Sequence, residues 1–250
     1  MNPLVTVVTP SYNQGKYIRD TIESVLNQTY KNIEYIVMDG KSTDETIEVL
    51  NSYKGQFLIK SEKDNGQSDA INKGFKLAKG DLIGWLNSDD TLNPLAVESI
   101  VKRYQHNKLA AIYYGDLNVI NENNISIGQM IRPNITHHSL LNISSSLNQP
   151  GSFYNRIKVE EVSYLDERLN YVMDYDLWLK LSRDSKIEYI PETLANFRIH
   201  EMSKTGANYI KFIPEMNEVR KKYNGKLICK QTVNMYRTYV GNLRRKITLK

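Results

Sequence analysis

Cysteine is almost missing from the chain: Cys229 is the single one in 250 residues. That excludes an internal disulfide and suits a reducing compartment. No run approaches the ~18 apolar residues of a membrane span. The opening Met1-Asn-Pro-Leu lacks the basic-then-apolar order of a signal peptide. The expected location is therefore cytoplasmic. Neither G-x-G-x-x-G nor G-x-x-x-x-G-K-S/T occurs, which removes the dinucleotide fingerprint and the phosphate-wrapping P-loop. Internal repeats and low-complexity linkers are absent too. An excess of positive charge in the main body is also lacking. Residues 201–250 hold 12 Lys/Arg and 3 Asp/Glu, whereas residues 1–200 hold 21 and 25. The basicity belongs to the tail, so the main domain offers no electrostatic case for nucleic acid.

What is present is an ordinary globular composition, 40% hydrophobic and 24% charged. Leu4–Thr9 is a β-branched run closed by the turn residues Pro10–Gly15. Tyr17, Ile18, Thr21, Ile22, Val25 and Leu26 recur at helical spacing, which predicts a helix from about Lys16 to Asn27. A second strand, Ile33–Met38, is followed by a helix opened by the capping signature Ser42-Thr-Asp-Glu45 and running to about Tyr53. Phe57–Lys60 is a short third strand, after which Ser68 or Asp69 caps a helix through Leu77. Asp81-Leu-Ile-Gly-Trp-Leu-Asn-Ser-Asp-Asp90 reads as a buried strand ending in two carboxylates, and Pro94 opens a helix to about His106.

Four strand–helix alternations with short links predict an α/β fold: a mostly parallel sheet flanked by helices. The pattern then changes. Ala111–Asp116, Leu117–Ile120 and Ile125–Ile131 read as strands separated by turns, so mixed strands are expected in the second half. Asp174–Ser182 returns to helical spacing, and Ile187–Ile190 reads as a final strand.

Each early strand ends in polar residues, and in a parallel sheet those ends are neighbours on the edge that binds ligands. Asp39, Asp64, Asp89 and Asp90 would gather there as a site for a nucleoside diphosphate. Adjacent carboxylates repel unless a proton or cation lies between them, and Mg²⁺ or Mn²⁺ completed by substrate phosphates meets that need. Asp39 can accept hydrogen bonds from a base or ribose, and Tyr12 can stack.

Val8-Thr-Pro-Ser-Tyr-Asn-Gln14, Val37–Asp44, Gly66-Gln-Ser-Asp-Ala-Ile-Asn-Lys-Gly74, Leu86-Asn-Ser-Asp-Asp90 and Asp174-Tyr-Asp-Leu-Trp178 stand in the order of the family 2 inverting glycosyltransferase motifs. The chain resembles that family from about Val5 to Ser203. The resemblance implies a GT-A (Rossmann-like) fold and sugar transfer from a nucleotide-sugar, with UDP favoured, to an acceptor hydroxyl in cell-surface glycan assembly. It places Thr9, Pro10, Tyr12, Asp39, Gly66, Asp69 and Asn87 around the nucleotide, with Asp39 on the base. Asp89 fills the last place of the family's Asp-x-Asp motif, whose first place is Asn87 here. Asp90 stands as a compensator for the missing charge. The catalytic base becomes Asp174, with Asp176 its alternative, and Met173 replaces the Glu that usually precedes it. Phe197–Thr205 resembles the Arg-x-His segment, putting His200 with Asp89 and Asp90 on the metal and Arg198 beside the diphosphate. Asn148–Tyr154 resembles the acceptor-side loop. Trp85 reads as core, and Trp178 as either core or acceptor-facing. His106, His137 and His138 match no family motif and read as structural or surface.

The expected domain spans 1–205, its nucleotide-binding half running to about 110 and its acceptor half from about 111. Residues 206–250 form a helical tail. There Val233, Tyr236, Val240, Leu243 and Ile247 make a stripe beside Lys230, Arg237 and Arg244, as in a helix lying on a membrane surface or packed on protein. A glycan or lipid-linked glycan is the expected acceptor. A nucleotidyltransferase or a non-catalytic nucleotide- or sugar-binding scaffold are the alternative readings.

Overall fold

The structure is a computed structural model describing residues 2–144, 147–201, 203, 209–226, 228–233 and 237, with backbone alone at 209 and 210. Nine strands form one sheet among these residues: β1 (Val5–Ser11), β2 (Ile33–Asp39), β3 (Leu58–Ser61), β4 (Leu82–Trp85), β5 (Thr91–Leu92), β6 (Ile112–Ile120), β7 (Ser126–Met130), β8 (Ser152–Asn155) and β9 (Ile187–Arg198). Their order is β3-β2-β1-β4-β8-β6-β9-β5, with β7 beside β6. The first four strands are parallel, and β8 then runs antiparallel to β4 and β6. This is the expected α/β sheet, parallel first and mixed later.

Side chains alternate across that sheet. Val8, Ile36, Met38, Ile83 and Trp85 enter one hydrophobic cluster; Val5, Val7, Tyr35, Val37 and Leu82 enter the other. Period-2 alternation with both faces apolar requires helices on both sides. Ile18, Ile22 and Val25 of α1 (Gly15–Leu26) and Ile100 of α4 (Ala96–His106) cover the second cluster. Ile71 and Phe75 of α3 (Gln67–Leu77) and Leu177 and Trp178 of α7 (Met173–Asp184) cover the first. The smaller helices are α2 (Thr46–Ser52), α5 (His137–Asn142) and α6 (Arg156–Glu161).

Four expectations change. Neither Ser68 nor Asp69 caps α3: both lie inside the helix, whose N-cap is Gly66. Ala111–Asp116 and Leu117–Ile120 are not separate strands; they form one strand, β6, paired with β9 on both sides of a bulge at Gly115–Leu117. Gly115 marks close approach and not a turn, since a Cβ there would lie 2.5 Å from Leu194 Cγ. The last strand continues past Pro191, because the register shift leaves that residue outside the regular ladder. At α2, Ser42 is not the cap: it bonds Asp39, while Asp44 accepts from Thr46 N at 3.0 Å.

The tail begins with α8 (Tyr209–Lys222), whose Met216 and Val219 are buried in the first cluster with Phe212 and Ile213 packed against it. This part of the tail lies on the sheet domain. Of the later stripe, Tyr236, Val240, Leu243 and Ile247, with Arg244, fall outside the described residues. No helix among the described residues is long and apolar enough to cross a membrane.

Candidate active site

A cleft of about 650 Å³ opens at the carboxyl ends of β1 and β4, against the start of α7. Pro10, Ser11 and Tyr12 wall it from β1, Asn87, Ser88 and Asp89 from β4, and Val172, Met173 and Asp174 from α7. Asp64 and Gly66 from the loop before α3 complete its polar side.

The β1 side is laced to the turn before α2. Asn13 N donates to Ser42 Oγ, Gln14 N to Thr46 Oγ1, and Thr43 N to Asn13 Oδ1, all at 2.8 Å. Asn13 takes φ +52°, which asparagine tolerates better than most residues. Beside it, Tyr12 is left 60% exposed and lines the cleft. Gly40 lets Asp64 come close: a Cβ there would lie 2.5 Å from Asp64 Oδ2, which would have to swing away.

On the β4 side, Asn87 is fixed from both ends of its amide. Its oxygen accepts from Gln67 Nε2 at 2.8 Å, and its nitrogen donates to Asp90 at 3.2 Å and Gln149 at 3.3 Å. Gln149 in turn donates to Trp85 O at 2.8 Å, so the Asn148–Tyr154 segment is tied to the β4 end. The Asp89 carboxylate lies 3.0 Å from His200 Nε2, whose ring packs 4.8 Å from that of Tyr17. Arg198 Nε donates to Asp89 O at 2.7 Å; its other nitrogens reach Asn121, Asn124 and Asp20, so the guanidinium braces the turn.

Other candidates sit off the wall, each with protein partners. Thr9 Oγ1 bonds Tyr35 OH at 3.0 Å. Asp39 accepts from Ser42 N, Ser42 Oγ and Ser61 Oγ. Asp69 accepts from Asn65 N at 2.9 Å and pairs with Lys73 at 3.2 Å. Asp90 accepts from Arg198 N at 2.9 Å. Burial, with the Asp89 charge beside it, pushes the Asp90 carboxyl well above the usual carboxylate range. Among the described residues no group of three or more His, Cys, Asp or Glu side chains converges.

Asp174 lies in the first turn of α7, where the helix dipole favours negative charge, and accepts from Tyr175 N at 2.8 Å. Asp176 faces elsewhere. It is fully buried and held by Lys180 and Lys222, each at 2.9 Å, and by Tyr223 OH at 3.0 Å. Trp178 is core: fully buried, with its indole N–H donating to Tyr154 OH. His106 is exposed, and His137 bonds Ser182 Oγ.

Sequence reading missed Gln67 and Gln149, and it missed Phe212, Ile213 and Met216 of α8, which wall the cleft opposite polar residues from the sheet. The signal for α8 was there: Phe212, Ile213, Met216, Val219 and Tyr223 fall at helical spacing.

A parallel sheet in the order 3-2-1-4 continued by mixed strands, with a walled cleft at its carboxyl edge, is an α/β architecture of GT-A type. Residues 6–162 match Glycosyl transferase family 2, and the chain belongs to that family. An uncharacterised glycosyltransferase of Rickettsia prowazekii (strain Madrid E) is 33% identical over 220 residues, 82% of this chain and 66% of its own. The chondroitin synthase of Pasteurella multocida (strain Pm70) is 30% identical over 202 residues, 79% of this chain and 21% of the synthase. The chain thus spans just under two thirds of the first relative and about a fifth of the second. Staphylococcus aureus TarS 1-349 in complex with UDP-GlcNAc shares the fold at TM-score 0.71 and 17% identity, over 91% of this chain and 68% of that one. Mannosyltransferase PcManGT of Pyrobaculum calidifontis, in complex with GDP-Man and Mn²⁺, does so at TM-score 0.69 and 15% identity, over 92% and 66%.

Proposed function

We propose that the chain is an inverting transferase that moves a sugar from a UDP-sugar to an acceptor hydroxyl in cell-surface glycan assembly. The observation that carries this reading is that Tyr12, Asp89 and Asp174, from three separate elements, open on one cleft. Asp174 accepts the proton of the acceptor hydroxyl as that oxygen attacks the anomeric carbon. The sugar–phosphate bond breaks on the opposite face, and a single displacement inverts the configuration. Tyr12 stacks on the base, and Pro10, Gly66 and Asn87 surround the rest of the nucleotide. Asp39, already accepting three donors, faces the base only after exchanging one of them.

A divalent cation fits the residues present. Asp89 and His200 would hold it, exchanging the hydrogen bond that joins them at 3.0 Å for the ion. Two protein donors leave the remaining positions to substrate oxygens and water. When bound, the ion supplies charge neutralisation for the departing diphosphate.

A tail with 12 Lys/Arg against 3 Asp/Glu supports a peripheral membrane location and a lipid-linked acceptor. The reading is tested by Asp174→Asn. Sugar transfer should fall by at least 10³-fold while UDP affinity stays within twofold; undiminished transfer would remove Asp174 from the mechanism.

A further inference from the structure

Helix α8 begins at 209, well beyond residue 162 where the family match ends. This region nevertheless grips the chain on both sides of Asp174, at the turn before α7 and at α7 itself. Before it, Glu215 accepts from Asn170 N at 3.1 Å and from Tyr171 N at 2.8 Å. After it, Lys222 Nζ and Tyr223 OH donate to Asp176 Oδ1 at 2.9 and 3.0 Å.

The loop that leads into α7 is anchored separately at its far end. Ser68 Oγ donates to Leu169 O at 3.1 Å, and Asn72 bonds both Leu165 O and Leu165 N at 3.0 Å. Between that anchor on α3 and the N-cap of α7 at Val172 lie Asn170 and Tyr171, the residues Glu215 grips. Both line the cleft, as does Met216, the next residue along α8. A carboxylate receiving backbone N–H groups forms charge-assisted bonds, stronger and shorter than neutral ones. A water could satisfy the two amides, but water does not fix where the turn sits. Misplacing a reacting group by about 1 Å can lower the rate by about 10²-fold.

We propose that Glu215 is a positioning residue for transfer: it sets the turn that carries Asp174, and so makes α8 part of the catalytic apparatus. The proposal rests on Asp174 being the base.

Its test uses the full chain with Glu215→Ala and the near-isosteric Glu215→Gln, the second guarding against a fold defect in the first. UDP affinity is measured by calorimetry with Mn²⁺. Turnover is measured as UDP released from UDP-GlcNAc, with and without simple glycoside acceptors. Hydrogen exchange is followed at the amides of residues 170–176. E215A should lower kcat by 10- to 100-fold and E215Q by three- to tenfold, with UDP Kd and acceptor KM within twofold to threefold of wild type. Exchange at 170–176 should quicken by about tenfold in E215A, with β1 and β4 unchanged. Unaltered kcat overturns the proposal, and so does a parallel loss of kcat and UDP affinity, which marks a purely structural role. Unaltered exchange at 170–176 also overturns it, even if no donor is turned over. A wild-type protein that binds no nucleotide would sink the transferase reading instead, and the exchange result would still decide whether Glu215 holds the turn.

Discussion

Asp174 and Asp176 stand two residues apart in α7, which places them about 200° apart around a helix. One opens on the cleft and the other is sealed between two lysines. The sequence reading placed Asp174 first with Asp176 as its alternative, and the side of α7 that meets the sheet leaves Asp174 alone of the two on the cleft wall. Asp176→Ala should therefore lower stability by about 1–3 kcal/mol, because it removes the buried acceptor of Lys180, Lys222 and Tyr223, read as a drop in the urea midpoint. Transfer per folded molecule should fall less in that variant than in Glu215→Ala, because the Glu215 hold on the turn before Asp174 remains. Asn87 is similarly set by its partners. Asn87→Asp would recreate the family's usual carboxylate, but it removes the N–H groups that reach Asp90 and Gln149. It should cost about 1–3 kcal/mol, seen as a lower thermal midpoint in metal-free buffer, with Mn²⁺ and UDP restoring part of the loss.

At the scale of elements, the first half of the chain was legible because its information is local. Each apolar run from β1 to β4 is followed by turn residues and then a helical stripe, so alternation implied a parallel sheet and fixed which strand ends meet. The second half depends on distant partners. Gly115-Asp116 reads as a turn until Leu194 is known to press against it, and Pro191 reads as a terminator until the register shift excuses its missing N–H. Gly115→Ala should destabilise by about 1–3 kcal/mol through overpacking, measured by thermal denaturation. The loop before α7 carries its own pH dependence. The guanidinium of Arg168 beside Asp166 holds that carboxyl down at about 2. With the folded value below the unfolded one, the stabilisation is complete above the ordinary aspartate range and is lost as pH falls toward 2. Arg168 is 80% exposed, which screens the pair and limits the effect to roughly 1 kcal/mol. Asp166→Asn should flatten the acid limb of the stability curve between about pH 4 and 2 by that amount.

Over the whole molecule, the cleft joins parts that differ in how openly the sequence displayed them. Tyr12, Asn87, Asp89 and Asp174 sit in short motifs whose order carried the family resemblance, and they do line one cleft. Thr9, Asp39, Asp69 and Asp90 sit in the same motifs but face protein partners, a distinction that needs side-chain direction and not just position. The wall supplied by α8 belongs to no motif, and its helical spacing was overshadowed by the more basic stripe further along the tail. The central claim, a metal-assisted nucleotide-sugar site at the Asp89 turn, is tested most directly by calorimetric titration with UDP, GDP and dTDP, with and without Mn²⁺. Wild type and Asp89→Ala are compared. The account expects UDP to bind tightly only with Mn²⁺ and to lose at least tenfold in affinity in the variant. Absence of binding by every nucleotide, or UDP binding indifferent to both Mn²⁺ and Asp89, would contradict it.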